Sequence, residues 1–451
     1  MATTVTFPTS IAAWQRVFVY LLFVSATFSI AGSEAATILL YALGLAHWWR
    51  AESVDAPPAW LIAPFVAVLA VSLLSALSSE APVAALDNVR GDYRLFLPFA
   101  LLPALGAVDR RRLLGTFALF VILFGLYGVV QHYVGIDLLR PAGQEIVRPY
   151  HGRTFHAVGN FTHHQTFAGV MVIAVPLFWG VALCDRHRLR LLWAAAGLGA
   201  ALGVLGTMAR SAWLGMAAGV VALGYCLPRR WSIPATVVVV ALLVALGVGL
   251  GTGWLRQAAG DLNRYPDIVK RVLETSPTGF DKDRLYLWEA GWLGIRDNPW
   301  LGVGPGNDAI AFEAYRQVVS QRHDGYTFTT GASAGLHNLY LQLWFERGLL
   351  GLLAHLWLML TVLVWCGLWL VRAGRAFALE RGLLWGCVGG LVASMVAAVF
   401  ENNFFDAEVQ VMIVLAVSLA VHAGMTIRRG ARLGTDATAR AGRVETTPTG
   451  G

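Results

Sequence analysis

Apolar stretches free of Asp, Glu, Lys and Arg recur along the chain, separated by polar breaks. Twelve read as membrane helices: 17–33, 35–49, 56–79, 95–108, 113–136, the distal part of 154–184, 191–209, 211–228, 231–255, 348–371, 382–400 and 409–427. A hydrocarbon core needs about 20 mostly apolar residues per helix, so 35–49 and 95–108 must recruit flanking residues or thin the bilayer. The segment 325–345 is also charge-free, but its first half is too polar and glycine-rich to cross and reads as a loop feeding the tenth span. Two polar interruptions are long, 137–165 and 256–347, and both follow an odd-numbered span. In the longer one, Leu285, Trp288, Trp292 and Ile295 recur at helical spacing, as do Ala311, Ala314, Tyr315, Val318 and Val319. It is therefore expected to hold two amphipathic helices lying on the membrane.

Composition sharpens this picture. At 57% hydrophobic and 14% charged residues, with a mean hydropathy of +0.60, the chain is excluded from the soluble enzymes, disulfide scaffolds, disordered proteins and nucleic-acid binders. It is expected to be an all-α polytopic membrane protein. The formal charge of +7 then reads as topology. Each even-numbered span is followed by arginine, as in 109–112, 185–190, 229–230, 372–381 and 428–432. Eighteen cations and seven acids fall on the side holding the N-terminus, leaving an acidic excess on the other. The positive-inside rule places both termini in the cytoplasm, and the two long loops outside. No cleavable signal peptide is expected, because the first span leads into more membrane. Cys184, Cys226, Cys366 and Cys387 fall in spans or at their cytoplasmic ends, so no disulfide is expected, and no zinc spacing is present. The chain divides into 1–255 with nine spans, a periplasmic helical loop 256–347, three spans in 348–428, and a tail 429–451 expected to be disordered in the cytoplasm.

Unusual chemistry gathers on the outer face. Arg256, Arg264, Lys270, Arg271, Lys282, Arg284, Arg296, Arg316 and Arg322 crowd the long loop, and guanidinium forks match phosphate oxygens in charge and shape. This points to a lipid-linked phosphate or diphosphate, since a periplasmic synthesis needs a pre-activated, membrane-borne donor. Arg210 stands alone between two apolar spans, where an arginine is costly unless paired or functional. Arg284 opens the Trp-rich helix, and His337 stands where a glycine-rich loop meets the tenth span. Asp281-x-Asp283 has the form of a metal-binding DxD pair, yet both acids also suit a helix N-terminus. His163 and His164 either hold substrate or cap the sixth span. Arg140, Arg148 and Arg153, with His151 and His156, make the shorter loop basic too.

Together these motifs resemble the O-antigen ligase and polymerase superfamily of outer-facing membrane glycosyltransferases. His337 and Asn338, nine residues, then Gly348 to Gly351 match the ligase signature; Arg284 and Trp288 precede Asp297-x-Pro-x-x-Gly-x-Gly-x-Gly-Asn307; Arg210 sits in its Ala-Arg-Ser context; and Gly159 to Gly169 resembles the block opening the sixth span. The resemblance implies a fold of about twelve helices with a large periplasmic loop, like other GT-C glycosyltransferases. It also implies transfer of undecaprenyl diphosphate-linked O-antigen to a sugar hydroxyl of lipid A–core at the inner membrane. His337, Arg210 and Arg284 are the implied catalytic residues, and Asn338, His163, His164, Arg264 and Arg316 are expected to bind substrate. Neither metal nor cofactor is expected. The nearest rival is an O-antigen polymerase, sharing donor and face. A transporter of lipid-linked sugars would place polar groups deep within several spans, and these spans hold almost none.

Overall fold

A computed structural model of the chain describes residues 10–50, 56–141, 143–144, 146–150, 153–226, 257, 260–273, 279–329 and 335–444. The described residues form fifteen α-helices and one two-stranded ribbon. Helices α1 (Ile11–Ser25), α2 (Ile30–Arg50), α3 (Ala59–Ser78) and α4 (Pro82–Val89) lead through a 3-10 segment, Arg90–Phe96, into α5 (Leu97–Gly106) and α6 (Arg110–Val134). Strands β1 (Pro149–Tyr150) and β2 (Thr154–Phe155) pair antiparallel before α7 (His164–Cys184), α8 (Arg190–Gly206) and α9 (Arg210–Gly224). Then come α10 (Asp267–Leu273), α11 (Gly279–Asp297), α12 (Asp308–Arg322), α13 (Leu339–Arg372), α14 (Ala378–Ala397) and α15 (Ala407–Val444). The protein is an all-α polytopic membrane protein, with seven helical stretches long and apolar enough to cross a bilayer: α2, α3, α6, α7, α13, Arg375–Ala397 and Ala407–Arg432. The apolar helices α1 and α8 are shorter. Helices stand at eleven of the twelve expected spans; the ninth, 231–255, lies outside the described residues.

Helix α7 and the first two-thirds of α15 are apolar nearly all round and form the interior of the bundle. Their most apolar 18-residue stretches are 83% and 94% buried, as expected of helices with no polar stripe. Helix α7 packs between α8 and α14, α9 lies against α14, and α3 against α13. The α7–α14 seam is tight: a Cβ at Gly180 would stand 2.7 Å from the Gly386 nitrogen. On the outside, Leu45, Leu77 and Leu123 face outward, an apolar surface that lipid covers.

The elements depart from the charge-free stretches where charged side chains are accommodated. Helix α1 begins at Ile11, after Ser10 caps it, and carries Arg16 exposed on its side. Helix α2 begins at Ile30 and includes Glu34, neutralised by Arg94. The short fourth span is continued backwards by the 3-10 segment and α4, and Asp92 and Arg94 of that segment turn toward a cavity. The last helix runs on to Val444. An Ala- and Arg-rich sequence propagates easily from an existing helix end.

The long loop is a packed layer. Leu287, Ala290, Ile295, Phe312, Val319, Leu336 and Phe345 form its own core. The expected helices are present, and each also buries a second set of apolar residues in this core. Leu285 and Trp292 are exposed while Leu287 and Ala290 are buried, and in α12 Phe312 and Val319 are buried while Ala314 and Val318 are exposed. This layer is stitched into the membrane bundle. Helix α13 is broken at Gly348 (φ 68°, ψ −177°), and the turn 299–304 docks onto the break. Leu349 N–H donates to the Pro299 carbonyl (2.8 Å), Val303 N–H to Phe345 (3.0 Å) and Gly304 N–H to Glu346 (2.8 Å). Ser75 of α3 donates to the Leu301 carbonyl (2.6 Å) and the Glu346 carbonyl (3.0 Å).

Candidate active site

A cavity of about 960 Å³ opens where one end of the bundle meets the loop layer. Helix starts supply much of its lining. His163 caps α7, its Nδ1 accepting from the Gln165 N–H (3.3 Å), and His164 follows. Arg210 is exposed at the start of α9, after Met208 in a left-handed conformation (φ 60°). His337 is also left-handed (φ 46°) and immediately precedes α13. Non-glycine residues held in this region store strain, typically about 1–3 kcal/mol each.

A residue from the α14–α15 connection organises the centre. The Leu339 N–H donates to the carbonyls of Ala398 (2.9 Å) and Glu401 (3.1 Å), tying the start of α13 to that connection. The Glu401 carboxylate is thereby set between three partners. Its Oε1 accepts from Arg284 Nη2 (3.0 Å) and Ser211 Oγ (3.3 Å), while Oε2 lies 3.6 Å from His337 Nδ1. Neither ring nitrogen of His337 makes a hydrogen bond. A carboxylate facing Nδ1 favours the tautomer with the proton there, which leaves a basic lone pair on Nε2.

The cavity is electrically polarised. On one side Arg210, Arg271 and Arg284 gather with three histidines, whose rings lie 4.6 Å (His156–His164) and 4.3 Å (His163–His164) apart. Burial pushes the His156 and His163 imidazoles below their ordinary range, so both are neutral near pH 7. On the other side Asp308 and Glu346 share the Gln342 amide, whose Nε2 donates to both (3.0 and 2.6 Å). The cations there are neutralised: Arg347 by Asp92 (3.0 Å) and Arg94 by Glu34 (2.5 Å). Asp406 accepts from the Thr166 hydroxyl (2.6 Å), and burial pushes its carboxyl up to about 6.

Of the residues singled out in the sequence, His337, Arg210, Arg284, His163 and His164 all line this cavity. Three do not join them. Asn338 is spent as the cap of α13, accepting from the Tyr340 and Leu341 N–H groups (both 3.0 Å). Arg264 is exposed beside Asp261 (3.9 Å). Arg316 is buried in the loop layer, against Glu313 (3.3 Å) and over the Phe328 ring (4.5 Å). Each was chosen for residue type and proximity in sequence, and helix geometry turns each elsewhere. Asp283 accepts from the Tyr326 hydroxyl (2.6 Å) and the Thr329 N–H (2.8 Å), locking the layer's own turn. The Asp281 side chain, Arg256 and His151 lie outside the described residues. Arg140 is held by Asp137 (2.7 Å) and the Phe161 carbonyl (2.6 Å). Among the described residues no group of three or more His, Cys, Asp or Glu is placed to hold a metal ion.

The sequence reading missed Glu401, Asn402 and Asp406, and the wall of Asp92, Asp308, Gln342 and Glu346. One signal was present. Between two apolar spans, residues 400–408 (FENNFFDAE) carry three acids and two amides, more than a short connection requires.

Residues 194–356 match the family described as O-antigen ligase. The matched stretch contains Arg210, Arg284 and His337, whereas Glu401 and the paired histidines lie outside it. The chain is 29% identical over 202 residues to an O-antigen ligase of Salmonella typhimurium, a match covering 43% of this chain and 45% of that protein. The chain thus spans less than half the length of that relative. It is also 24% identical over 338 residues to an uncharacterized protein of Haemophilus influenzae, covering 73% of this chain and 79% of that one.

Proposed function

We propose that the protein is an O-antigen ligase, moving a glycan from an undecaprenyl diphosphate carrier to a sugar hydroxyl of lipid A–core. The observation that carries this reading is the convergence of His337, Arg284 and Arg210 on one cavity, with Glu401 bridging the first two. In a single displacement the acceptor oxygen attacks the anomeric carbon of the donor glycan. Its proton passes to His337 Nε2, and the bond to the diphosphate breaks with its electron pair leaving on the diphosphate oxygen. Inversion at the anomeric carbon follows. A positioned base contributes roughly 10²–10⁴-fold to such a step. Arg210, Arg271 and Arg284 meet the charge that develops on the leaving diphosphate, the role of fixed cations in a water-poor site.

The polarity of the cavity supports this arrangement. A diphosphate is attracted to the arginine side and repelled by the Asp308 carboxylate on the other, where the Asp308 and Glu346 carboxyl groups instead hydrogen-bond sugar hydroxyls. A groove of about 690 Å³, lined by Ile38, Leu69, Leu73, Val89 and Phe96, lies just behind the 3-10 segment. Gly91, Asp92 and Arg94 face the cavity while Arg90, Tyr93 and Phe96 face the groove, so an isoprenoid tail can lie beside the site holding its diphosphate. The arginine asymmetry of the sequence supports a cavity that opens away from the cytoplasm.

The test supplies purified protein with donor lipid and lipid A–core, with and without EDTA. The wild type is expected to yield glycan-capped core, undiminished by EDTA, and His337→Ala to lose about 10²–10⁴-fold in rate. Longer lipid-linked glycan in place of capped core would reassign the protein as a polymerase. Wild-type rates in His337→Ala would remove the base assignment.

A further inference from the structure

Helix α7 starts at the cavity with His164 and ends at Cys184. With a rise of about 1.5 Å per residue, its far end is roughly 30 Å away. There the helix ends enclose a second hollow of about 620 Å³, lined among others by Arg186, Arg375, Arg381, Cys184 and Cys226. The nearby acids are already engaged: Asp185 with Arg111 (2.8 Å) and Glu380 with Arg110 (2.9 Å). Among the described residues none of Arg186, Arg375 and Arg381 forms an ion pair, and the Arg381 Nε is buried without an acceptor. Arg186 and Arg375 stand exposed at the rim.

A buried guanidinium nitrogen without an acceptor is costly, so beside Arg381 the described residues leave a place for a counter-anion. Forked donors of this kind fit phosphate oxygens, and basic pockets between membrane helices receive anionic headgroups. We infer that this hollow is a phosphate-binding site, in which Arg381 makes the buried contact and Arg186 and Arg375 close over the remaining oxygens. The inference is independent of the transfer reaction at the other end of the bundle.

The cysteines provide the readout. Cys184 and Cys226 line the hollow, whereas Cys366 and Cys387 are fully buried in the core and serve as internal references. Full-length, delipidated protein in maltoside micelles is alkylated with N-ethylmaleimide and followed by mass spectrometry, alone, with phosphatidylglycerol, or with inorganic phosphate. Bound phosphate should slow Cys184 modification about tenfold, the change that one charge-assisted hydrogen bond supports. Arg381→Gln should abolish the slowing, and Arg375→Gln, at the exposed rim, should weaken it. Slowing by phosphatidylglycerol alone identifies a lipid headgroup site; slowing by inorganic phosphate as well identifies a site for the free anion. Unchanged alkylation with both additives, or equal slowing in the two folded variants, would overturn the inference.

Discussion

Glu401 holds a guanidinium and a serine hydroxyl with one oxygen and faces an imidazole with the other. Replacing it by Gln keeps the shape but removes the charge that orients both Arg284 and His337. Misplacing reacting groups by about 1 Å costs on the order of 10²-fold, so Glu401→Gln should lower kcat for glycan transfer by about that factor and leave the acceptor KM within a few-fold. A KM effect alone, in steady-state assays, would make Glu401 a substrate contact and not a positioning residue. The histidines predict a pH dependence. His156 and His163 remain neutral in the fold because burial lowers their pKa, while the unfolded chain protonates them near 6.5. Stability contributed by the neutral rings is therefore complete well above pH 6.5 and declines as the pH falls below it. Asp406 acts in the opposite sense, since its carboxyl is pushed up from 3.8 to about 6. Thermal unfolding between pH 5 and 8 should show a flatter acid decline in His156→Gln and a steeper one in Asp406→Asn. The sequence singled out Arg284 and His337 by motif spacing and Arg210 by its local context, and all three line the cavity. Glu401 was not singled out, because a lone acid between two spans carries no periodicity and its role arises only when α13 and α14 meet.

Helix α13 shows how a break can be a joint. At Gly348 a Cβ would stand 2.1 Å from the carbonyl of Trp300, and φ is +68°. Gly348→Ala should therefore cost more than the roughly 1–3 kcal/mol of an ordinary left-handed non-glycine residue, because the 299–304 turn must also be displaced. The measurable consequence is a fall of several degrees in Tm, with transfer activity falling alongside it; an unchanged Tm would show that the turn does not bear on the break. The signature glycine was visible in the sequence, but not its reason, which lies in backbone groups some fifty positions away. Helices α11 and α12 teach a related lesson. Their existence was legible from apolar spacing, but the layer's own core of Leu287, Ala290 and Phe312 was not, because α11 is apolar on two sides and periodicity alone does not reveal the second.

Across the whole molecule, apolar length recovered the helical membrane architecture, and the errors fell at helix ends, where Arg16 and Glu34 lie within helices that a charge-free criterion excludes. The placement of the arginines sets the expected orientation. A cysteine replacing the exposed Arg322 should react with a membrane-impermeant maleimide in intact cells, and Cys184 only after permeabilisation; the reverse pattern would invert the topology. The stitch at Gly348 has one further consequence. Cleavage at the Asp324–Gly325 corner would yield two polypeptides, neither holding a whole bundle. They would not drift apart: the turn 299–304 grips α13 across the cut, and α14 stays wedged between α7 and α9. The covalent chain is dispensable at that corner in a way the glycine is not.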